Sequence, residues 1–246
     1  MLLRSLLRRA AAGLLLLAAL QAHGAGLVAD ELVTTAKTAD GEAVPYVLNV
    51  ANPQPRFVVI LFPGGSGQMN PRLDNGRVVY GFAGNFLIRG REFIVDDEFA
   101  TVATNTTADE PRMQALLDDL KRRYPNAQVY LMGTSRGTIA TVKLAPYLSD
   151  RIAGVIHTSS MGTSIYSFNA KDYRNRQLIV HHRNDQCRLT FYNAARRSHE
   201  AYGNELITME GGVSEGDPCE AFAHHGYRGI ERDTMVAIKA WIRRGP

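Results

Sequence analysis

Hydrophobic and polar positions follow two rhythms along the chain. Short apolar runs, of which RFVVILF over 56–62 is a continuous example, are typical of strands buried on both faces of a sheet. Between them lie segments with helical spacing. The clearest begins at Pro111 and ends near Tyr124, with Leu116 and Leu120 on its apolar face. The alternation predicts an α/β protein with a mainly parallel sheet.

The predicted order of elements is β-β-β-α-β-α-β-α-β-β-α-β-α. Strands are expected at LVADELVTTA, VPYVLNV, RFVVILF, FATVAT, QVYLM, RIAGVIHTS, QLIVHH and NELITME. Among the helices, one is expected around 85–97 and the last over 230–243. Only about 17 residues separate 159 from 177, which leaves little room for a helical lid, so we expect an open site.

The first residues have the pattern of a cleaved secretory signal. Three arginines make a basic start, an apolar run covers 10–20, and Ala22 and Gly24 are spaced like a signal-peptidase site. The run is shorter than the roughly 20 residues that a spanning helix needs. We predict a signal peptide over 1–24, a single domain over 25–246, and a periplasmic or secreted protein with no stable membrane insertion. An uncleaved membrane anchor is the alternative.

Charge and composition give little support to other kinds of partner. The formal net charge of +4 falls to +1 once the three arginines of the signal are removed, and the remaining basic residues are scattered. We therefore expect no nucleic-acid binding. No cofactor is predicted, and the sequence does not indicate an oligomeric state.

The sharpest chemical signal is the segment MGTSRGT, in which Gly133, Ser135 and Gly137 fit G-x-S-x-G where a strand meets a helix. A serine on so tight a turn has a strained backbone, and small residues two positions before and after it let the strand and the helix pass closely. Its hydroxyl then projects from the turn. Ser135 is the candidate nucleophile.

A serine that attacks a carbonyl needs hydrogen-bond donors for the oxyanion that forms. One predicted donor is the backbone N–H of Arg136, directly after the serine. The other is expected from the loop PGGSGQ after the strand over 56–62, with Gly65 as first choice and Ser66 as second. Alternatively, the glycines of this loop only form a tight turn. A phosphate loop is disfavoured because the Walker lysine is missing.

Together these features resemble the α/β-hydrolase superfamily over about residues 27–246, and in particular its small exported esterase-like or dienelactone-hydrolase-like members without a large lid. The resemblance implies an α/β-hydrolase fold, with a mainly parallel central sheet and helices on both faces. It also implies a triad in the chain order serine, acid, histidine. Asp185 in LIVHHRNDQC follows a late strand, and His225 in CEAFAHHGYRG precedes the last helix, as that order requires.

Other acids and histidines compete for these roles. Asp172 precedes its strand and so lies at the wrong end of a parallel sheet. Asp217 and Glu220 read as surface charges, and for Asp185 itself the alternative is a solvated turn.

Between the neighbours His224 and His225, only one can face the serine. We favour His225 because Gly226 after it gives the loop freedom to turn. The other histidine pair, His181 and His182, is expected in the core or beside the site. The spacing of the two pairs lacks a defined ligand pattern, so no metal is predicted.

The two cysteines, Cys187 and Cys219, are predicted to form a disulfide if the chain is exported, with two buried thiols as the alternative. The resemblance to small exported members of the superfamily supports the bond. It would tie the loop of Asp185 to the loop of His225.

The predicted function is hydrolysis of a small acyl substrate, a carboxylic ester or a thioester, through a Ser-His-Asp triad and an acyl-enzyme. The alternatives are a serine peptidase and a binding protein of the same fold that has lost catalysis. About half of the apolar residues near the catalytic edge are expected to line the pocket. These candidates are Tyr80, Phe82, Phe86, Met161, Ile165, Tyr166 and Phe168.

Overall fold

The computed structural model describes residues 29–245, so the predicted signal peptide lies outside the described residues. The strands are β1 (Asp30–Lys37), β2 (Ala43–Val50), β3 (Phe57–Phe62), β4 (Arg72–Asp74), β5 (Arg77–Val79), β6 (Phe99–Thr104), β7 (Gln128–Ser135), β8 (Gly154–Ser160), β9 (Arg176–His182) and β10 (Glu205–Met209). The helices are α1 (Phe86–Gly90), α2 (Glu110–Arg123), α3 (Gly137–Leu144), α4 (Gly162–Ile165), α5 (Tyr192–Tyr202) and α6 (Glu231–Arg243).

Eight of these strands form one sheet in the order β1-β2-β6-β3-β7-β8-β9-β10. Strands β1 and β2 pair antiparallel, as do β2 and β6, and all pairings from β6 to β10 are parallel. The predicted α/β class with a mainly parallel sheet is confirmed. Because β3, β7, β8 and β9 are parallel, the loops after them emerge at the same edge of the sheet.

Side chains of β3 point alternately to two hydrophobic layers. Phe57, Val59 and Leu61 pack in the layer formed with α1 and α6, whereas the residues between them pack with α2 and α3. Every residue of this strand is buried, which explains its continuous apolar sequence. Burying each large apolar side chain contributes about 1.5–3 kcal/mol. Helices therefore cover both faces and hold the central strands in place.

The first difference from the predicted elements is a small hairpin formed by β4 and β5. Asn75 and Gly76 at its turn both have positive φ, 48° and 76°, and an Asn-Gly pair is a strong hairpin signal. The hairpin was not predicted from the sequence because both strands are short and largely exposed.

Two further boundaries differ from the prediction, and the short segment between β8 and β9 agrees with it. The helix expected around 85–97 is only α1, followed by a 3₁₀ turn over Arg91–Phe93. Strand β7 extends to Ser135, because it keeps pairing with β8 up to the turn. Between β8 and β9 lie only α4 and a 3₁₀ turn over Ala170–Asp172, so this segment forms no large lid. Within residues 29–245, the helices are too short or too polar to cross a bilayer.

Candidate active site

Ser135 occupies a strained turn at the carboxyl end of β7. Its φ of 51° lies in the left-handed region, where a residue other than glycine costs about 1–3 kcal/mol. Arg136 follows, and α3 begins at Gly137. The hydroxyl of Thr138 donates to the carbonyl of Ser135 at 2.6 Å, which helps to hold the turn.

The glycines around this turn are required because a side chain would not fit at their positions. A Cβ at Gly137 would lie 2.2 Å from the carbonyl oxygen of Phe62, and one at Gly133 would lie 2.8 Å from the carbonyl carbon of Gly137. A Cβ at Gly64 would lie 2.8 Å from the Cβ of Ser135. The G-x-S-x-G spacing therefore allows α3 to cross the end of β3 closely.

A pocket of about 370 Å³ brings Ser135 and His225 to one surface. Phe82, Phe86 and Phe222 form its aromatic lining. Sequence reasoning missed Phe222, since it lies in the irregular segment between β10 and α6. The guanidinium groups of Arg89 and Arg228 lie 5.3 and 5.2 Å from the centre of its ring.

The two predicted oxyanion donors lie beside the serine. Gly65 lines the same pocket and has a φ of 63°. Arg136 directly follows Ser135 and precedes the first turn of α3. Within residues 29–245, neither the N–H of Gly65 nor that of Arg136 donates to a backbone carbonyl in a loop or turn.

Asp185 and His225 meet although they are far apart in the chain. Asp185 lies in the turn after β9, and His225 lies in a 3₁₀ turn over His224–Gly226. The His225 Nδ1 atom is 3.2 Å from Oδ2 of Asp185, and each residue is 6% exposed. With Nδ1 engaged by the carboxylate, Nε2 is the ring nitrogen left for the pocket.

The electrostatics of Asp185 favour its ionised form. Burial opposes the charge, but hydrogen bonds from His181 and His225 hold the pKa of Asp185 well below its ordinary value. The N–H of Cys187 also donates to Oδ1 at 2.9 Å. A carboxylate that remains charged can orient the imidazole and stabilise its protonated form.

None of the rival acids takes the place of Asp185 beside His225. Asp172 ends a 3₁₀ turn ahead of β9, at the opposite edge of the sheet. Asp217 accepts the N–H of Cys219 at 2.8 Å, and Glu220 is an exposed residue at the pocket wall.

His224 is turned away from Asp185. Its ring stacks on that of His182 with centroids 4.4 Å apart. His182 accepts the N–H of Asn184 at 3.0 Å and contacts the carbonyl of Gly211 at 2.9 Å. Within the described residues, no group of three or more His, Cys, Asp or Glu side chains is arranged to hold a metal ion.

Gly226 is required for a different reason from the predicted one. Its φ is not positive, but a Cβ there would lie 1.9 Å from the carbonyl oxygen of Ala221. Glycine is therefore required at this position because the backbone of Ala221 leaves no room for a side chain. Conformational freedom, the reason predicted from the sequence, does not account for it.

Two polar residues near the acid and the base, Thr190 and Ser159, were not assigned to the site from the sequence, whereas His181 was expected in the core or beside the site. Thr190 Oγ1 lies 3.0 Å from Oδ2 of Asp185. The Nε2 atom of His181 lies 3.2 Å from the same oxygen. The hydroxyl of Ser159 donates to the carbonyl of His225 at 2.7 Å. The four-residue spacing from His181 to Asp185 was a signal, but nothing in the sequence marks Thr190 or Ser159.

Tyr227 joins the base loop to the sheet. Its hydroxyl donates to the carbonyl of Val180 at 2.9 Å and accepts the N–H of Ser159 at 3.0 Å. Burial raises the pKa of Tyr227 above its ordinary value, so the phenol stays protonated as this donation requires. Ser159 and Tyr227 thus fix the backbone from the carbonyl of His225 to Tyr227.

The predicted disulfide between Cys187 and Cys219 is present. Cys187 follows Asp185 by two positions and is buried, whereas Cys219 belongs to the pocket wall. The bond therefore connects the acid loop to the segment that leads into the base loop.

The predicted pocket residues divide into three groups. Phe82 and Phe86 line the pocket of Ser135. Met161 and Tyr166 line a separate surface hollow, so these two candidates are not part of the pocket of Ser135. The other three candidates pack in or against the hydrophobic core: Tyr80, Ile165 and Phe168.

Comparison with solved structures places the fold of this chain. No protein-family model matches the chain, and no curated protein matches it in sequence. Solved structures do match. The esterase domain of a Rhodothermus marinus protein aligns with a TM-score of 0.61 at 12% identity, covering 88% of this chain and 99% of that one.

Two other structures agree with this match. The Pyrococcus furiosus esterase Pf2001 has a TM-score of 0.62 at 10% identity over 89% of this chain and 94% of its own. A Xanthomonas campestris protein described as an α/β serine hydrolase without a lid has a TM-score of 0.55 at 13% identity, over 87% and 94% of the two chains. This chain therefore has the α/β-hydrolase fold.

Proposed function

We propose that this protein is a serine hydrolase of ester-like substrates, with Ser135 as nucleophile, His225 as general base and Asp185 as the acid that orients the histidine. One observation carries the proposal. A serine with strained backbone and a histidine hydrogen-bonded to a buried carboxylate line the same pocket. That combination is the arrangement that nucleophilic acyl transfer needs.

In the proposed reaction, Oγ of Ser135 attacks the substrate carbonyl while Nε2 of His225 takes its proton. Asp185 stabilises the imidazolium, and the N–H groups of Gly65 and Arg136 bind the oxyanion. Collapse of the intermediate breaks the bond to the leaving group, which takes the proton from His225. Water, activated by the same histidine, then hydrolyses the acyl-enzyme.

The pocket supports a small acyl substrate. Its volume of about 370 Å³ lies near the lower end for small-molecule sites, and Phe82, Phe86 and Phe222 give it an apolar lining. A carboxylic ester or a thioester fits this description best. Two of the compared structures are named as esterases, which agrees with the proposal without defining the substrate of this chain.

We also propose export to the periplasm or the medium. The disulfide between Cys187 and Cys219 is stable in an oxidising compartment, and the first 24 residues have the pattern of a secretory signal.

The decisive experiment combines hydrolysis of p-nitrophenyl esters of increasing chain length with labelling by a fluorophosphonate probe. Ser135→Ala should lose both labelling and turnover, with kcat lower by roughly 10⁶-fold. Ser167→Ala, which removes an exposed hydroxyl in the separate hollow, is the control and should retain both. Full activity in Ser135→Ala would refute the assignment. Absence of labelling and turnover in the wild type would favour the non-catalytic binding protein.

A further inference from the structure

Thr190 lies at the contact between the proposed acid and base. Its Oγ1 atom is 2.9 Å from Nδ1 of His225 and 3.0 Å from Oδ2 of Asp185. The residue is fully buried. Its N–H donates to the carbonyl of Cys187 at 3.0 Å, which fixes its backbone within the loop that the disulfide anchors.

The direction of these hydrogen bonds follows from the chemistry of the groups. An ionised carboxylate can only accept, so the single hydroxyl proton of Thr190 goes to Asp185. The hydroxyl oxygen is then free to accept from the Nδ1–H of His225. At 2.9 Å it is closer to Nδ1 than the carboxylate oxygen, which is 3.2 Å away. The imidazole proton is therefore shared between the two acceptors.

Asp185 Oδ2 already has several donors. Besides the hydrogen bonds from Thr190 and His225, it accepts one from Nε2 of His181 at 3.2 Å. Thr190 supplies a second acceptor in a fixed position to the same Nδ1–H of His225. An N–H held by two fixed acceptors has less freedom to rotate than an N–H held by one.

We propose that Thr190 is a positioning residue of this site. It holds Nδ1 of His225 protonated, and so keeps Nε2 free as the base, by accepting from the imidazole while it donates to Asp185. The proposal rests on the function proposed above, in which His225 removes the proton of Ser135.

The test compares Thr190→Val, which keeps the shape but loses the hydroxyl, with Thr190→Ser, which keeps the hydroxyl. Thr190→Val should lower kcat for a p-nitrophenyl ester by about 10- to 100-fold, the usual effect of a hydrogen bond to a charged group. KM should change less than about twofold, since Thr190 touches no substrate. Thr190→Ser should stay within about threefold of the wild type. The control is Thr163→Val at an exposed site.

A double-mutant cycle separates positioning from a merely structural role. In an Asp185→Asn background, Thr190→Val should lower kcat by less than about twofold. The contact between Asp185 and His225, which Thr190 supports, is already lost in that background. Thermal unfolding of each variant checks that it is folded. If the valine variant does not fold, Thr190→Ser and Thr190→Ala make the same comparison, since serine and alanine differ only in the hydroxyl.

Three results would overturn the inference: wild-type kcat in Thr190→Val, an equal loss in the serine variant, or an undiminished loss in the Asp185→Asn background. Failure of the underlying function is distinguished by Ser135→Ala, which would then retain turnover. If Ser135→Ala is inactive and Thr190→Val keeps the wild-type kcat, only the inference about Thr190 fails.

Discussion

Replacing both Cys187 and Cys219 with alanine should weaken the fold and the site together. The bond joins residues separated by 32 positions. In the chain-entropy treatment, opening a loop of this length returns about 3.7 kcal/mol of conformational freedom to the unfolded chain at 25 °C. We therefore expect the free energy of unfolding, measured by urea denaturation, to fall by about 4 kcal/mol.

The same change should affect turnover through Asp185. The N–H of Cys187 donates to Oδ1 of this carboxylate, and Cys219 forms part of the pocket wall. Without the bond, the acid loop gains freedom relative to His225. Because small misplacements of catalytic groups are costly, kcat should fall by about tenfold or more under conditions where the variant is fully folded.

Dithiothreitol provides the internal control for this experiment. It should lower the unfolding free energy and kcat of the wild type toward those of the double variant, and it should leave the double variant unchanged. If the double variant keeps its kcat within twofold and its unfolding free energy within about 1 kcal/mol of the oxidised wild type, the bond does not restrain the acid loop and the reasoning fails.

Three further predictions concern the turn, the acid and the core. Gly137→Ala should lower the unfolding free energy by at least about 2 kcal/mol, because the new Cβ would collide with the carbonyl of Phe62. Wild-type stability of this variant in thermal denaturation would show that α3 does not cross the end of β3 so closely. Asp185→Asn should lower kcat by about 10⁴-fold with the fold retained in circular dichroism, and a loss below tenfold would reject this acid. Burial lowers the pKa of His157 to about 4, so between about pH 6.5 and 4 the unfolded chain binds a proton there that the folded chain does not. The unfolding free energy should therefore fall by roughly 3 kcal/mol on acidification through that window, and His157→Gln should lack this part of the loss in urea titrations.

Local sequence pattern predicted much of the fold because its signals act over a few residues. The apolar strand over 56–62 and the helix from Pro111 follow from burial periodicity. The turn at Ser135 was also predicted from local sequence, but from its glycines. The strand and the helix cross so closely there that they leave no space for side chains at Gly133 and Gly137. Where patterns were short, as in the hairpin of β4 and β5, the prediction missed the element.

The sequence by itself also determined which residues are able to act in the site: a serine on a tight turn, an acid after a late strand and a histidine before the last helix. Which of these groups meet was decided only by the tertiary structure. Asp185 and His225, separated by forty positions, are brought within 3.2 Å, and Thr190 is placed between them. Hydrogen bonds between side chains of different loops depend on how those loops pack at the sheet edge, and no local periodicity records that packing.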